Sequence, residues 1–533
     1  MSPLVSIDGP PALFAVLLPA AALVPLFAAG AVALPAWRSR LPTVAVACAL
    51  PALLVALVAP IGTESRLPWV LLDLRLRLDE TGLVFLRFTS LVWLAATVYA
   101  RGHLRSDPAA PRFSAFWLAA MGGNYGLLLA ADLVTFYLFF AALGLACYGL
   151  VLHGGDAAAR RASRIYLVFV LVGDGLLFGA LVLLARTTGG LAIPLSAPAG
   201  PLATALLLAG LGIKLGAWPL HAWLPIAHPV APIPASAVLS GVVIKSGLFG
   251  WLRFLPLGQL ALPAWSDPVV VLGLVGVFFA AAAGTLQRDP KTALAYSSVS
   301  QVGLMTVAIG TGLAGPEAWP AARVALLVYA VHHGVTKGAL FLGVGVAAGA
   351  RGRGRRIVAL GALGVAAASL AGAPFTSGEG AKALLKTAVE GGGGGTESWL
   401  PAALSLGAAA TAVLMGRVLW LAALSGRTGE VRGRPKRAPD APSPLSWAAW
   451  LGLVAAMLVA SVWLFPETAS AELAGHADLW SALWPALLGT AIAGLLWHTV
   501  WRREDVRGSH EEAGARAPAV PPGDFLVPVA GWA

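Results

Sequence analysis

The fold of this chain is decided by residues 210–254, which read GLGIKLGAWPLHAWLPIAHPVAPIPASAVLSGVVIKSGLFGWLRF. An apolar helix carrying Lys214 is predicted to break at Gly216 and Pro219, because glycine permits unusual backbone angles and proline lacks a helical donor. A second helix carrying Lys245 follows the proline-rich turn. A lysine at the centre of a membrane helix costs about 2.5–3.5 kcal/mol on insertion scales. Two such lysines beside a broken helix therefore predict a site for a small cation.

The composition is that of an integral membrane protein. Of the 533 residues, 58% are hydrophobic and 11% are charged, and the mean hydropathy is +0.80, which is outside the range of soluble domains. The net charge of +11 comes mainly from arginines in short loops, so it indicates a positive-inside membrane protein rather than one that binds nucleic acid. Cys48 and Cys147 lie in apolar stretches without a CxxC pair and are expected to be packing residues. No charged leader or A-x-A site precedes the first apolar segment, so no cleaved signal peptide is expected.

Lysine is rare in this chain and unusually placed. Only seven of the 36 basic residues are lysines. Five of the seven lie in or beside hydrophobic helices: Lys214, Lys245, Lys337, Lys382 and Lys386. A desolvated lysine can lose its proton, whereas arginine in practice cannot. A genome that prefers arginine codons explains the scarcity of lysine, but not the concentration of the remaining lysines in apolar helices.

Apolar runs long enough to cross a bilayer recur along the whole chain. We predict about fifteen spans, near residues 11–34, 41–60, 81–100, 113–131, 132–152, 163–185, 201–221, 235–255, 268–287, 291–312, 321–348, 357–388, 399–424, 445–465 and 480–501. Residues 61–80 alternate in polarity, which predicts a short surface strand or hairpin. Basic loops follow mainly the odd-numbered spans, so an external N-terminus and a cytoplasmic tail are expected. The polar tail over residues 511–524 is expected to be disordered.

An internal repeat is predicted from the interrupted helices. Spans four to eight and nine to thirteen form two sets of five, and the odd number makes the second set inverted. The broken helix with Lys214 and the broken helix with Lys382, interrupted at GAPFTSGEG, occupy corresponding positions in the two sets. Such pairs mark the midplane site of many transporters. The expected organisation is N-terminal helices over 1–112, a first repeat over 113–255, a second, inverted repeat over 256–425, and C-terminal helices with a tail over 426–533.

Four motifs carry a resemblance to a known family. They are K-x-x-x-x-P-L-H-x-W-L-P-x-A-H at 214–228, A-P-x-P-A-S-A-V-L-S-G-x-x-I-K at 231–245, D-P-K-T-A-L-A-Y-S-S-V-S-Q-V-G at 289–303 and H-G-V-T-K-G-A-L-F-L-G at 333–343. Over roughly residues 75–425 the chain resembles the antiporter-like, proton-translocating membrane subunits of respiratory complex I, multi-subunit sodium/proton antiporters and group 4 membrane-bound hydrogenases. The W-L-P-I-A-H-P-V-A-P form is most similar to the hydrogenase branch.

The resemblance implies a proton path through buried lysines, histidines and carboxylates. Lys214 matches the central lysine of the first half, and Lys245 matches the linking lysine on the next helix. His333 and Lys337 match polar residues of the eleventh helix, with His332 as an adjacent candidate. Desolvation and movement of nearby carboxylates would let such lysines load and release protons.

The second half has a lysine of its own. Lys382 matches the family's terminal lysine, because GAPFTSGEGAK at 372–382 fits the pattern G-x-P-x-x-S-G-x-x-x-K. Glu379, three residues earlier, is expected either to pair with Lys382 or to be a solvated helix cap. Lys386, one turn beyond, either belongs to the same path or snorkels to the membrane interface.

The main departure from the family lies on the fifth helix. The family usually reads F/W-E-x-x-x-L-x-x-Y, and its glutamate pairs with the first lysine, whereas this chain reads FAALGLACY with Ala141 at the glutamate position. Lys214 then needs another partner. We expect it to be Asp174, in V-G-D-G, which matches an acidic position on the sixth helix. A separation beyond about 8 Å without a bridging group would rule this pairing out.

The histidines have structural interpretations as well. Buried histidines such as His332 and His333 are often satisfied core residues, and a role in proton transfer competes with that interpretation. His221 and His228 lie beside the proline-rich turn and fit a structural role equally well.

We therefore expect an all-α, polytopic protein of the cytoplasmic membrane that translocates protons, or sodium ions, as a subunit of a complex I-like or group 4 hydrogenase complex. Other membrane subunits and the lipid bilayer are the expected partners. No cofactor is expected, since the chain has no cysteine cluster and no glycine-rich dinucleotide motif after a strand, so any redox chemistry would belong to partner subunits. Two alternatives are a subunit of a multi-subunit cation/proton antiporter or ion-coupled uptake system, and a structural subunit whose first channel is inactive, as Ala141 suggests.

Overall fold

The regular structure of this protein is almost entirely helical. The computed structural model describes residues 11–70, 73–193, 200–390, 399–428, 441–464 and 479–502. In the first half the helices are α1 (Pro11–Gly30), α2 (Pro35–Arg38), α3 (Leu41–Val58), α4 (Glu80–His103), α5 (Ala110–Leu129), α6 (Leu133–Val151), α7 (Ala157–Thr188), α8 (Pro201–Leu215), α9 (Trp223–Val230), α10 (Ile233–Val238) and α11 (Lys245–Phe254). Then follow α12 (Pro263–Thr285), α13 (Pro290–Ala314), α14 (Trp319–Gly349), α15 (Arg353–Ala371), α16 (Ser377–Glu390), α17 (Leu400–Thr428), α18 (Pro444–Leu464) and α19 (Leu479–Leu496).

The length and hydropathy of these helices make the chain a multi-pass membrane protein. Within the described residues, twelve helices are long and apolar enough to cross a membrane. Two further apolar helices are shorter, Pro201–Leu215 and Pro444–Val459. The predicted polytopic helical class is confirmed, while the number of fifteen spans stays a prediction. The polar tail predicted at 511–524 lies outside the described residues.

Four aspartates begin helices. Asp79, Asp132, Asp156 and Asp289 each precede a helix, and each side chain accepts a hydrogen bond of 2.7–2.8 Å from the backbone N–H three residues later. Such N-caps stabilise a helix by about 1 kcal/mol each, because they satisfy a donor that has no partner within the helix. Asp174 is different, since it stands in the middle of α7. A carboxylate inside an apolar helix needs another explanation.

The hairpin predicted over residues 61–80 is confirmed. Strands β1 (Glu64–Leu67) and β2 (Leu74–Arg77) pair antiparallel, with Glu64 opposite Arg77. Leu74 and Leu76 are buried and their neighbours are exposed, as expected for side chains that alternate between the two faces of a strand.

One aspartate forms salt bridges with two arginines at the end of this hairpin. Asp73 has a φ of 75° and lies 2.6 Å from Arg66 and 2.7 Å from Arg75. Hydrogen bonds from Arg66 and then Arg75 lower the pKa of the Asp73 carboxyl to about 2. The carboxylate is therefore charged at any physiological pH.

The first predicted interruption is present. Helix α8 ends at Leu215, immediately after Lys214, and Gly216 follows with a φ of 74°, a conformation that favours glycine. The chain then forms α9 and α10, a π-helical turn over Leu239–Val243, and α11, which begins at Lys245. Single π-turns inside helices occur often at functional sites.

The second predicted interruption is present as well. Helix α15 ends at Ala371, and Gly372 takes the left-handed conformation that commonly ends helices, with a φ of 87°. Helix α16 begins at Ser377 and carries Lys382. The segment predicted as one interrupted span over 357–388 is therefore two helices joined by a short turn.

The chain divides into two compact units. The first comprises Met1–Leu215 and Gly241–Pro256, and the second comprises Gly216–Ser240 and Leu257–Ala533. Lys214 thus belongs to the first unit, as does the start of α11, while the proline-rich turn between them belongs to the second. The repeat boundaries predicted from the sequence stay a prediction.

Candidate functional site

The first unit contains a buried pair of opposite charges. Lys214 lies in the last turn of α8 with 3% of its side chain exposed, and the Asp174 side chain of α7 is 9% exposed. Lys214 Nζ lies 3.6 Å from Asp174 Oδ1. The pairing of Lys214 with Asp174 expected from the sequence is therefore present, at a distance well below the limit of about 8 Å. It explains why an aspartate lies in the middle of α7.

Helix α6 supplies the space for this lysine. The Lys214 ammonium lies 4.3 Å from the centre of the Phe140 ring, a cation–π contact worth about 2 kcal/mol when desolvated. A Cβ atom at Gly144 would collide with the ammonium, so a larger residue there would force the lysine side chain to move. Asp174 of α7 thus provides a carboxylate beside Lys214, while Ala141 of α6 provides none.

Lys245 lies in the same unit, at the start of α11. Its side chain is buried, with 1% exposed, directly after the π-helical turn. Ser246 next to it donates a hydrogen bond of 2.7 Å to the carbonyl of Val243, within that turn. The linking role that the resemblance implies for Lys245 stays a prediction.

In the second unit, Lys337 of α14 is fully buried. Its ammonium donates to the backbone carbonyl of Leu294, at 2.9 Å, and to the hydroxyl of Ser297, both on α13. These partners are neutral oxygens. Lys337 therefore differs from Lys214, whose neighbour is a carboxylate.

The predicted histidines of α14 are both buried, His332 at 4% and His333 at 0% exposed. His332 Nδ1 lies 2.7 Å from the hydroxyl of Ser377, the first residue of α16. Ser377 in turn lies 3.2 Å from the hydroxyl of Ser369, near the end of α15. A string of polar groups therefore joins α14 to both sides of the second helix interruption.

Lys382 binds the end of the helix before it. Its ammonium donates to the carbonyls of Leu370, at 3.0 Å, and Ala371, at 2.6 Å. Glu379 accepts a hydrogen bond of 2.6 Å from the backbone N–H of Phe375. Of the two roles that the sequence left open, a pair with Lys382 or a helix cap, this contact is that of a cap.

The structure keeps His228, which was undecided from the sequence, among the candidates. It is fully buried on α9, stacked on Phe341 with ring centroids 4.6 Å apart. Among the described residues neither of its ring nitrogens has a hydrogen-bond partner. Lys291 Nζ donates to the carbonyl of Ala231, at 2.5 Å, just after α9.

A buried polar chain was also missed from the sequence. Tyr329 donates to the side-chain oxygen of Gln301 at 2.7 Å, and the amide of Gln301 donates to Thr411 at 3.1 Å. Gln301 lies inside the motif at 289–303. Its polar side chain within that motif was the feature of the sequence that could have identified it.

These arrangements can hold and pass single protons. Each lysine or histidine accepts one proton, and burial among apolar side chains makes its charge depend on the few polar atoms in contact with it. Within the described parts of the chain, no group of three or more histidine, cysteine or acidic side chains could hold a metal ion.

A family model described as "NADH:quinone oxidoreductase/Mrp antiporter, TM" matches residues 130–389. Subunit L of the NADH-quinone oxidoreductase of Mycobacterium tuberculosis is 30% identical over 483 residues, covering 84% of this chain and 74% of the relative. Hydrogenase-4 component B of Escherichia coli is 31% identical, covering 52% of this chain and 44% of the relative. A probable K(+)/H(+) antiporter component of Rhizobium meliloti is 31% identical over 59% of this chain and 33% of its own length.

Two solved structures share the fold. A chain of the Mrp complex from Dietzia sp. DQ12-45-1b superposes with a TM-score of 0.69 at 23% identity, covering 89% of this chain and 99% of that one. A chain of the membrane-bound sulfane sulfur reductase, an archaeal respiratory membrane complex, superposes with a TM-score of 0.67 at 18% identity and the same coverage.

Proposed function

Because this chain belongs to the NADH:quinone oxidoreductase/Mrp antiporter transmembrane family, we propose that it moves protons across a membrane as one subunit of a multi-subunit complex. Relatives are named as parts of NADH-quinone oxidoreductases, of a hydrogenase and of cation/proton antiporters. Other membrane subunits are therefore its partners. Any quinone, NADH or hydrogenase chemistry takes place in those partners.

The observation that carries this proposal is the buried pair of Lys214 and Asp174, 3.6 Å apart. Burying a lysine or an aspartate within a membrane protein is costly, so neither residue is expected there without a partner. Paired at this distance, they form a group that can exchange a proton when the carboxylate moves. This pair also argues against an inactive first channel, because the carboxylate absent at Ala141 has a replacement.

The second half of the path runs through Lys337 of α14 and Lys382 of α16. His332 and His333 lie on α14 with Lys337, and His332 contacts Ser377 at the start of α16. We assign to Lys245 the linking role that the family resemblance implies. Glu379 belongs to the interruption that holds Lys382. All eight residues predicted from the sequence thus enter the proposed path, Asp174 as the partner of Lys214.

The finer architecture is part of the same proposal. Two helices are interrupted, after Leu215 and after Ala371. These interruptions are the evidence for two inverted repeats of five spans, each with a proton site at its interruption. The basic loops support an external N-terminus in a cytoplasmic membrane.

Proton flux through the reconstituted protein tests the function. Proteoliposomes containing the full chain and an internal pH dye would receive a potassium diffusion potential through valinomycin. We expect inward proton flux well above that of empty liposomes, and at least a tenfold loss in Lys382→Ala. Lys386→Ala, a lysine one turn away, is the matched control and should keep its flux. Flux in Lys382→Ala equal to that of the unchanged chain would contradict the role of that lysine, and no flux in the unchanged chain would contradict the function.

A module of a cation/proton antiporter is the second candidate. The observation that favours it is the site around Lys382, where an ammonium is held by carbonyl oxygens, which also bind alkali cations in transporters.

A further inference from the structure

Tyr166 lies eight residues before Asp174 on α7, and its hydroxyl reaches the helix beside the buried pair. The side chain is 1% exposed, and the hydroxyl donates a hydrogen bond of 3.1 Å to the backbone carbonyl of Gly144 on α6. Gly144 is the residue at which a Cβ atom would collide with the Lys214 ammonium. A hydrogen bond therefore joins α7 to α6 at the level of the charged pair.

The face of α7 that carries Tyr166 packs around Gly144. Tyr166, Val170 and Asp174 are spaced four residues apart, so they lie along one side of the helix. All three are buried. A Cβ atom at Gly144 would lie 2.8 Å from Val170 Cγ1 and 3.7 Å from Asp174 Oδ2. Because glycine has no side chain, the backbone of α6 itself comes close to α7 and to the pair.

The contact between α7 and α8 is held by other residues. A Cβ atom at Gly210 of α8 would lie 2.8 Å from the backbone nitrogen of Leu177 and 2.9 Å from the carbonyl oxygen of Gly173, both on α7. The two helix backbones thus touch next to Asp174, and four residues before Lys214. Such close-packed contacts yield little. The helices that carry the pair are therefore fixed to each other by glycines, whereas α6 is joined to α7 by the hydrogen bond of Tyr166.

Helix α6 covers the remaining side of the lysine. It contributes the Phe140 ring, 4.3 Å from the ammonium, and the backbone of Gly144 one turn later. Opposite charges attract more strongly among apolar groups than in water. An outward shift of α6 would admit water beside the ammonium and weaken its attraction to Asp174. The position of α6 therefore controls how strongly the two charges are coupled.

We propose that Tyr166 is a positioning residue for proton transfer: its hydrogen bond to Gly144 holds α6 against the pair of Lys214 and Asp174 and keeps water away from it. The inference rests on the proposed function, in which this pair exchanges a proton. Tyr166 itself neither takes up nor releases a proton in this role, because it acts through the backbone of α6.

A double-mutant cycle on proton flux tests the proposal. Tyr166→Phe removes the hydroxyl and keeps the ring, so flux into proteoliposomes should fall about fivefold, the factor that one hydrogen bond of ordinary net strength represents. In the Asp174→Asn background the pair is already broken. The same substitution should then change flux by less than about twofold, since residues that act through one interaction are not additive.

Tyr125→Phe on α5 is the matched control for the loss of a buried hydroxyl. Tyr125 is fully buried, and its hydroxyl has no hydrogen-bond partner among the described residues. Its removal should leave flux unchanged in both backgrounds.

The thiol of Cys147 reports on α6 without any measurement of flux. Cys147 is buried on α6, three residues after Gly144, and Cys48→Ser leaves it as the only cysteine of the chain. Local opening of α6 exposes this thiol. Methyl methanethiosulfonate should therefore modify it about fivefold faster in Tyr166→Phe, and at an unchanged rate in Tyr125→Phe.

Three results would overturn the proposal. They are full flux in Tyr166→Phe, an equal loss of flux from this substitution in both backgrounds, and an unchanged rate of thiol modification. An equal loss would mean that the hydroxyl acts independently of the pair. If the unchanged chain shows no proton flux, the proposed function fails instead, and the modification rates of Cys147 alone decide whether Tyr166 holds α6 in place.

Discussion

Replacing Asp174 by asparagine removes one charge of the buried pair and changes little else. Asparagine has nearly the same size and shape, so packing between α7 and α8 should persist. Lys214 would then lie beside a neutral amide and the Phe140 ring. We expect the protein to fold and its proton flux to fall.

The magnitude follows from the distance of 3.6 Å between Lys214 Nζ and Asp174 Oδ1. Two unit charges at this separation attract by about 4–5 kcal/mol at an effective dielectric constant of about 20. Every 1.36 kcal/mol corresponds to a factor of ten, so the loss of this attraction can weaken a step that depends on the pair by up to about a thousandfold. Relaxation and water reduce this limit, and we expect at least a tenfold loss of flux at neutral pH. Because asparagine keeps the shape of the side chain, the loss of stability should not exceed the roughly 3–5 kcal/mol of a broken buried pair.

The assay is proton flux into proteoliposomes, with the melting temperature measured on the same preparations. Asp156→Asn is the matched control, since it makes the same change at the N-cap of the same helix, where asparagine caps as well as aspartate. A second test moves the carboxylate. Ala141→Glu in the Asp174→Asn background places an acid where the family usually has one, and it should restore part of the flux.

Flux within twofold of the unchanged chain in Asp174→Asn, at an unchanged melting temperature, would refute the reasoning. Lys214 would then work without a carboxylate. A loss of flux that Ala141→Glu fails to restore, with no change in folding, would show that Asp174 acts at its own position and not only as a nearby charge.

Three further predictions concern other parts of the molecule. Lys337→Met keeps the volume of the side chain but removes its ammonium, and should lower proton flux at least tenfold; unchanged flux would exclude Lys337 from the path. His228→Phe keeps the stacking on Phe341 and should keep the melting temperature while lowering flux, whereas full flux would leave His228 a packing residue. Since the pKa of Asp73 is lowered to about 2 from about 3.9 in an unfolded chain, its contribution to stability is present above pH ~4 and is lost as the pH falls through 2. Asp73→Asn should therefore speed amide hydrogen exchange over residues 60–78 at neutral pH, while Glu64→Gln, which breaks an exposed pair, should change it little; equal rates in the two variants would contradict this.

Much of the fold could be predicted from local features of the sequence. The long apolar runs correctly predicted a helical membrane protein, because the hydropathy of a segment depends only on its own residues. Gly216 and the GAPFTSGEG segment marked both helix interruptions, since glycine and proline act on the backbone where they stand. The alternation at residues 61–80 marked the hairpin.

The pairing of Lys214 with Asp174 could also be predicted, for a different reason. Ionisable residues are so costly in apolar helices that they rarely occur unpaired, so Lys214 needed a partner once Ala141 stood at the position of the expected carboxylate. The choice of Asp174 depended on the family resemblance, in which it matches an acidic position on the sixth helix.

The contacts of Lys382 could not be predicted in the same way. Glu379 is three residues from it on one helix, a spacing at which side chains can meet, yet Glu379 bonds to the N–H of Phe375, a residue with a φ of 62°. That turn conformation depends on how α15 and α16 meet, which the local sequence does not specify. His228 was undecided for a similar reason, because its isolation depends on neighbours distant in the chain.

The different neighbours of Lys214 and Lys382 determine how each responds to a membrane potential. When Lys214 passes its proton to Asp174, positive charge moves a few ångströms within a pair whose total charge stays zero, so the voltage does little work on that step. When Lys382 releases its proton, a whole positive charge leaves a neutral site, and moving one charge through the full field costs about 2.3 kcal/mol per 100 mV. In the proposed path, the second unit is therefore expected to be the more voltage-sensitive half of the protein.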